Sequence, residues 1–125
     1  SLQQSGKLFY YYAKGEEQQR DLSPQDIGIQ SDVRAIPLPD DLPAAPTIGD
    51  EIATMVDSDA LAAKAAAMGI AALGGAKGLM YDSLVYSAST ALAHLGRYAS
   101  IQEAADAVRA TLDSGKALET LRAAV

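Results

Sequence analysis

Four prolines, Pro37, Pro39, Pro43 and Pro46, fall within residues 35–47 of this chain. Each fixes its own φ near about −65°, withholds a backbone N–H and turns the preceding residue away from helix. No regular helix or central strand continues through such a run. The spacing predicts an extended connector over 35–47, with a short strand near Val33 to Ile36; a disordered linker is the alternative reading of the same composition. The connector divides the 125 residues into an aromatic, β-favouring part upstream and an alanine-rich part downstream. The expected fold is mixed α/β but mostly helical: a β-hairpin followed by packed Ala-rich helices in a single segment, 1–125.

The upstream part reads as a β-hairpin over 7–22. Leu8-Phe9-Tyr10-Tyr11-Tyr12 suits a pleated strand. Lys14-Gly15-Glu16 marks the turn, and the return arm runs through Gln19-Arg20 to Leu22. Ser23-Pro24-Gln25-Asp26 predicts a turn or one helical turn, with proline directly after a serine cap. Ile27-Gly28-Ile29 is expected to be extended.

Helices are expected to fill residues 48–125. Ile48, Ile52, Met55 and Val56 share one face. Asp57-Ser58-Asp59 offers short oxygen side chains that can cap a new helix, whose stripe is Leu61, Ala65, Met68 and Ala72. Gly74-Gly75-Ala76-Lys77-Gly78 stops it. Tyr81, Leu84, Ala88, Leu92 and Leu95 stripe the next helix, which Gly96 closes. Ser100-Ile101-Gln102-Glu103 is a capping box, followed by the stripe Ile101, Ala104, Val108 and Leu112. Asp113-Ser114-Gly115 then breaks the pattern, and Leu118, Leu121 and Val125 continue it. Alanine buries little area, so the core is expected to lean on Leu84, Leu92, Val108 and Leu112.

A chain of this length buries roughly two thirds of its unfolded surface and needs no staple, and it has no cysteine to form one. No apolar run is long enough to span a bilayer, and no signal peptide opens the sequence. These features fit a cytoplasmic protein with no membrane partner. The net charge is −6, with the ten basic residues scattered along the chain. A nucleic-acid binder shows a basic face, so nucleic acid is not an expected partner.

Several residues carry chemistry in principle. Backbone N–H groups of the Gly74–Gly78 loop can cradle a phosphate at a helix start, yet the loop lacks the P-loop pattern and a helix-to-helix connection accounts for it equally. His94 is the only histidine, and no carboxylate stands at i±3 or i±4. Glu16-Glu17 and Asp40-Asp41 are acidic pairs of a type that binds Mg²⁺ beside substrate phosphates, or they are solvated turn residues. Tyr10-Tyr11-Tyr12 can stack a ring or pack on the helices. No Ser/His/Asp arrangement is suggested. No catalytic or metal-ligating residue is therefore assigned, and substrate-binding positions stay open.

From Tyr81 to Ala123 the chain resembles the C-terminal end of the anthranilate phosphoribosyltransferase family. In that family a helix of the form D-x-(three apolar)-N-A-A-x-x-L-x-x-x-G precedes a capped S-x-x-E helix. The second helix ends in D/E-S-G-x-A and a last short helix. Asp82, Ala88, Leu92, Gly96, Ser100, Glu103, Ser114, Gly115 and Ala117 stand in the matching places. Leu8 to Ile29 is similar to the family's strand, turn, strand and P-E-D-x-G-L segment, here Pro24 to Ile29.

The resemblance implies the C-terminal portion of an α/β phosphoribosyltransferase domain. The parent would transfer phosphoribosyl from phosphoribosyl pyrophosphate to an aromatic amine such as anthranilate, a step of tryptophan biosynthesis. It would be a homodimer and use Mg²⁺, with small-molecule substrates. The family's G-T-G-G-D and K-H-G-N segments do not occur in this sequence, and its Mg²⁺-binding D-E pair is expected just upstream of the first strand, at about Ser1-Leu2-Gln3, where no such pair stands, so no metal is expected on this chain alone. Ser87 stands where the family has the asparagine of N-A-A, which points to a divergent paralogue. The resemblance thus implies an inactive scaffold fragment whose partner is the remainder of the parent protein. The alternative is a non-catalytic module that binds a protein partner through its helices.

Overall fold

A computed structural model describes residues 6–11, 17–31, 40–41 and 57–125. The described chain is mostly helical. Strands β1 (Gly6–Tyr11) and β2 (Glu17–Leu22) form an antiparallel pair, in register from Gly6 opposite Leu22 to Tyr11 opposite Glu17. A 3₁₀ turn spans Pro24–Ile27. Four helices follow: α1 (Ser58–Leu73), α2 (Leu79–His94), α3 (Ile101–Asp113) and α4 (Lys116–Ala123). The turn expected at Lys14-Gly15-Glu16, the strand expected near Val33 to Ile36, most of the 35–47 connector and the stripe Ile48, Ile52, Met55 and Val56 lie outside the described residues.

Each helix end has a local cause. At the start of α1, Asp57 Oδ1 accepts the N–H groups of Asp59 at 2.9 Å and Ala60 at 3.1 Å. At α3, Ser100 Oγ accepts from Glu103 N at 3.1 Å. Glu103 reaches back to the N–H of Ala99 at 3.2 Å, one residue further than a capping box requires. Helices α1 and α2 end in Schellman motifs. In the first, Gly75 N donates to Ala72 O and Ala76 N to Ala71 O; in the second, Gly96 N donates to Ala93 O and Arg97 N to Leu92 O. Gly75, Gly96 and Gly115 all have positive φ, the conformation that glycine adopts without a Cβ penalty.

The core sits where α2 crosses α3, closed at one end by the segment after β2. Ile27, Ile29, Tyr81, Val85, Val108 and Leu112 are buried together. Fully burying a side chain such as Val85 contributes about 1.5–3 kcal/mol. The segment Ile27 to Ile29 is not simply extended: Ile27 ends the 3₁₀ turn and Gly28 is left-handed at φ 76°. That turn throws both isoleucines inward, and Arg109 of α3 fixes it by donating from Nη2 to Ile27 O.

The buried face of α2 is rotated from the expected stripe. Tyr81, Val85, Ser89 and Ala93 are buried, Leu84, Ala88 and Leu92 are half-buried, and Leu95 is 67% exposed. Buried Ser89 satisfies its hydroxyl on Tyr86 O at 3.1 Å within its own helix, so it sits inside without an orphaned donor. In α1 only Ala72 is buried, and Ala65 of the expected stripe is exposed.

Candidate functional site

Two features stand out where the α1–α2 connection meets the end of α3: a polar clasp and an apolar cleft. The clasp begins with the glycine-rich loop. The N–H groups of Gly74, Gly75 and Ala76 are all bonded to carbonyls of α1, so they do not point outward as a phosphate cradle does. A Cβ at Gly75 would lie 3.2 Å from Leu112 O and 3.3 Å from Asp113 Cα. Gly75 is thus the glycine of this loop whose backbone presses on the backbone of α3, whereas a Cβ at Gly78 would meet nothing within 4 Å.

Just beyond the loop, Lys77 forms an ion pair with Asp113. The hydroxyl of buried Tyr81 donates to the same Asp113 Oδ1 at 2.8 Å and accepts from Lys77 Nζ at 2.8 Å. The Lys77 ammonium also lies 3.9 Å from the centre of the Tyr81 ring, a cation–π contact. The hydrogen bond from Lys77, then that from Tyr81, hold the Asp113 carboxyl below its usual range. Asp113 first and Tyr81 second hold the Lys77 ammonium above its own. The three groups satisfy one another, and the Asp113 carboxylate and the Lys77 ammonium both keep their charge at neutral pH.

The cleft is about 270 Å³. Leu73 of α1, Leu84, Ala88 and Leu92 of α2, and Ala107, Val108, Thr111 and Leu112 of α3 line it, with Ala117 of α4 and Tyr98 of the α2–α3 loop. Thr111 turns its hydroxyl onto Ala107 O at 2.9 Å. The wall is therefore almost wholly apolar, of the kind that takes hydrophobic surface.

Among the described residues the sequence candidates are not brought together. His94 is half-buried in the last turn of α2 and does not line the cleft. Asp41 pairs with Lys64 of α1, and that contact, its hydrogen bond foremost, lowers its pKa; Asp40 is exposed in the same turn. Glu17 begins β2, and Tyr10 and Tyr11 end β1; Glu16 and Tyr12 lie outside the described residues. Among the described residues no group of three or more His, Cys, Asp or Glu side chains is placed to hold a metal ion, and no helix is long and apolar enough to cross a membrane. Sequence reasoning missed the clasp. Lys77 and Tyr81 stand at i, i+4, a legible helical spacing, but Asp113 joins them from 32 residues away. Comparison with family models, characterised proteins and solved structures gives no match.

Proposed function

We propose that this chain is the C-terminal scaffold of a phosphoribosyltransferase-like protein, non-catalytic by itself, which braces the α/β domain that carries the substrates. The observation that supports this is the structural employment of the residues that carry the resemblance. Gly96 and Gly115 end helices in left-handed conformation. Ser100 and Glu103 cap α3. Ala88, Leu92 and Ala117 line an apolar cleft rather than a polar site. In this reading Mg²⁺ and both substrates bind elsewhere in the parent, and this segment holds the fold around them.

The test is twofold. Calorimetry of this chain with phosphoribosyl pyrophosphate and Mg²⁺ should show no binding, and micromolar affinity would contradict a scaffold. The complete open reading frame should encode a G-T-G-G-D segment upstream; a frame without one removes the transferase reading.

The apolar cleft favours a second reading, a module that binds a protein partner through its helices. In that case the chain should bind its partner without any upstream domain.

A further inference from the structure

Among the described residues, the side-chain hydrogen bonds that tie one helix to another stop at Asp113, and the joint beyond it is closed by the backbone, Gly115 N donating to Leu112 O at 3.0 Å. Before that point α3 is fastened to the α1–α2 connection by Lys77 and Tyr81 and to the 3₁₀ turn by Arg109. Beyond it, α4 buries no residue. Among the described residues none of Lys116, Glu119 and Arg122 makes an ion pair, and the hydroxyl of Thr120 bonds only to Lys116 O of its own helix. What holds α4 is apolar: Ala117 forms one wall of the cleft, and Leu118 approaches Gly74, where a Cβ would lie 3.3 Å from Leu118 Cδ2. An eight-residue helix is not stable from local bonds alone. Its link to α3 is a single residue in left-handed conformation, Gly115 at φ 77°, which glycine adopts without a Cβ penalty, and nothing lies within 4 Å of the position a Cβ would take.

We propose that α4 is a hinged flap that turns as a unit at Gly115 and opens the apolar cleft to an uncharged apolar ligand. The ligand class follows from the wall, which is almost wholly apolar, holds no charged side chain and has its Thr111 hydroxyl already bonded to its own helix, so a charged group would lose its water there without an ion-pair partner. Swinging α4 away removes the Ala117 wall and uncovers Leu73 and Leu112. The clasp keeps α3 in place while this happens. The proposal goes beyond the scaffold reading and does not depend on it.

Amide hydrogen exchange by NMR on the whole chain tests it, with Nile red as an uncharged apolar probe. The amides of α4 are expected to share one rate, at least about ten-fold faster than those of Ala104–Leu112, as separate opening units do. Leu118→Ala should speed α4 exchange further and raise Nile red binding several-fold, with α3 unchanged. Exchange of α3 and α4 in step would overturn the flap. So would a gradient of rates along α4, which marks fraying rather than hinging. Unchanged dye binding in Leu118→Ala would overturn the link between the flap and the cleft.

Discussion

Replacing Gly75 by Ala separates two costs that glycines usually confound. Gly96 and Gly75 both follow a helix with positive φ, at 67° and 93°. At Gly96 a Cβ meets nothing within 4 Å. The cost there is conformational only, about 1–2 kcal/mol for an L-residue in left-handed geometry, offset by about 0.4–1 kcal/mol from a less flexible unfolded chain. Gly96→Ala should thus lose about 1 kcal/mol. At Gly75 the Cβ meets Leu112 O at 3.2 Å and Asp113 Cα at 3.3 Å. Both are backbone atoms of a helix held by the clasp, so neither yields as a side-chain tip does. Overpacking of this kind costs about 1–3 kcal/mol more. Gly75→Ala should lose about 2–4 kcal/mol in urea unfolding with an unchanged m value. At about 4 °C per kcal/mol for a chain of this size, Tm should fall by about 8–16 °C against about 4 °C for Gly96→Ala. Equal losses in the two variants would refute the claim that the loop presses on α3.

The clasp makes stability depend on pH in a defined direction. Asp113 has its folded pKa depressed from 3.8, so its contribution is present above about pH 4 and lost as the pH falls through the folded value; Asp113→Asn should flatten this acid limb in a series of thermal melts. Lys77, raised from 10.5, and Tyr86, raised from 10.0 chiefly by burial, add a contribution that holds at neutral pH and is lost as the pH climbs beyond about 10. Leu112→Ala should cost about 2–5 kcal/mol, and Leu84→Ala and Leu92→Ala less, because both already face the cleft; urea midpoints that rank the three the other way would contradict the described core. Ser100→Ala should cost about 1 kcal/mol, with the loss in protection concentrated in the first turn of α3.

Local signals in the sequence were legible where one side chain decides the outcome. The oxygens of Asp57 and Ser100 and the glycines at 96 and 115 mark helix ends whose geometry is set within a few residues. The face of α2 was less legible. Leu84, Ala88 and Leu92 form an apolar row, but Tyr81, Val85, Ser89 and Ala93 form another one residue round, and tertiary contact selects the second. A serine in the buried row hides it, since the hydroxyl is satisfied only once the helix exists. The role of Ile27 and Ile29 was also out of reach, because a bond from Arg109, 82 residues away, fixes their turn. The glycine loop reads as a cradle or a joint on sequence alone; the bonding of the Gly74, Gly75 and Ala76 N–H groups to α1 and the close packing of Gly75 on α3 favour the joint.

The exposed flank of α1 has a consequence for how the chain unfolds. Of its sixteen residues eight are alanines, the strongest helix former, and only Ala72 is buried. Its helicity rests on propensity and on the Asp57 cap more than on tertiary packing. Unlike α4, it has length enough to stay partly wound in isolation. The denatured ensemble is therefore expected to keep a residual helix over this stretch. Far-ultraviolet ellipticity and tyrosine absorbance should then report different midpoints, because the six tyrosines all lie outside α1. The order of events in refolding reads the same way: α1 winds early on its own account, and the clasp at Asp113 forms when α3 arrives to meet it.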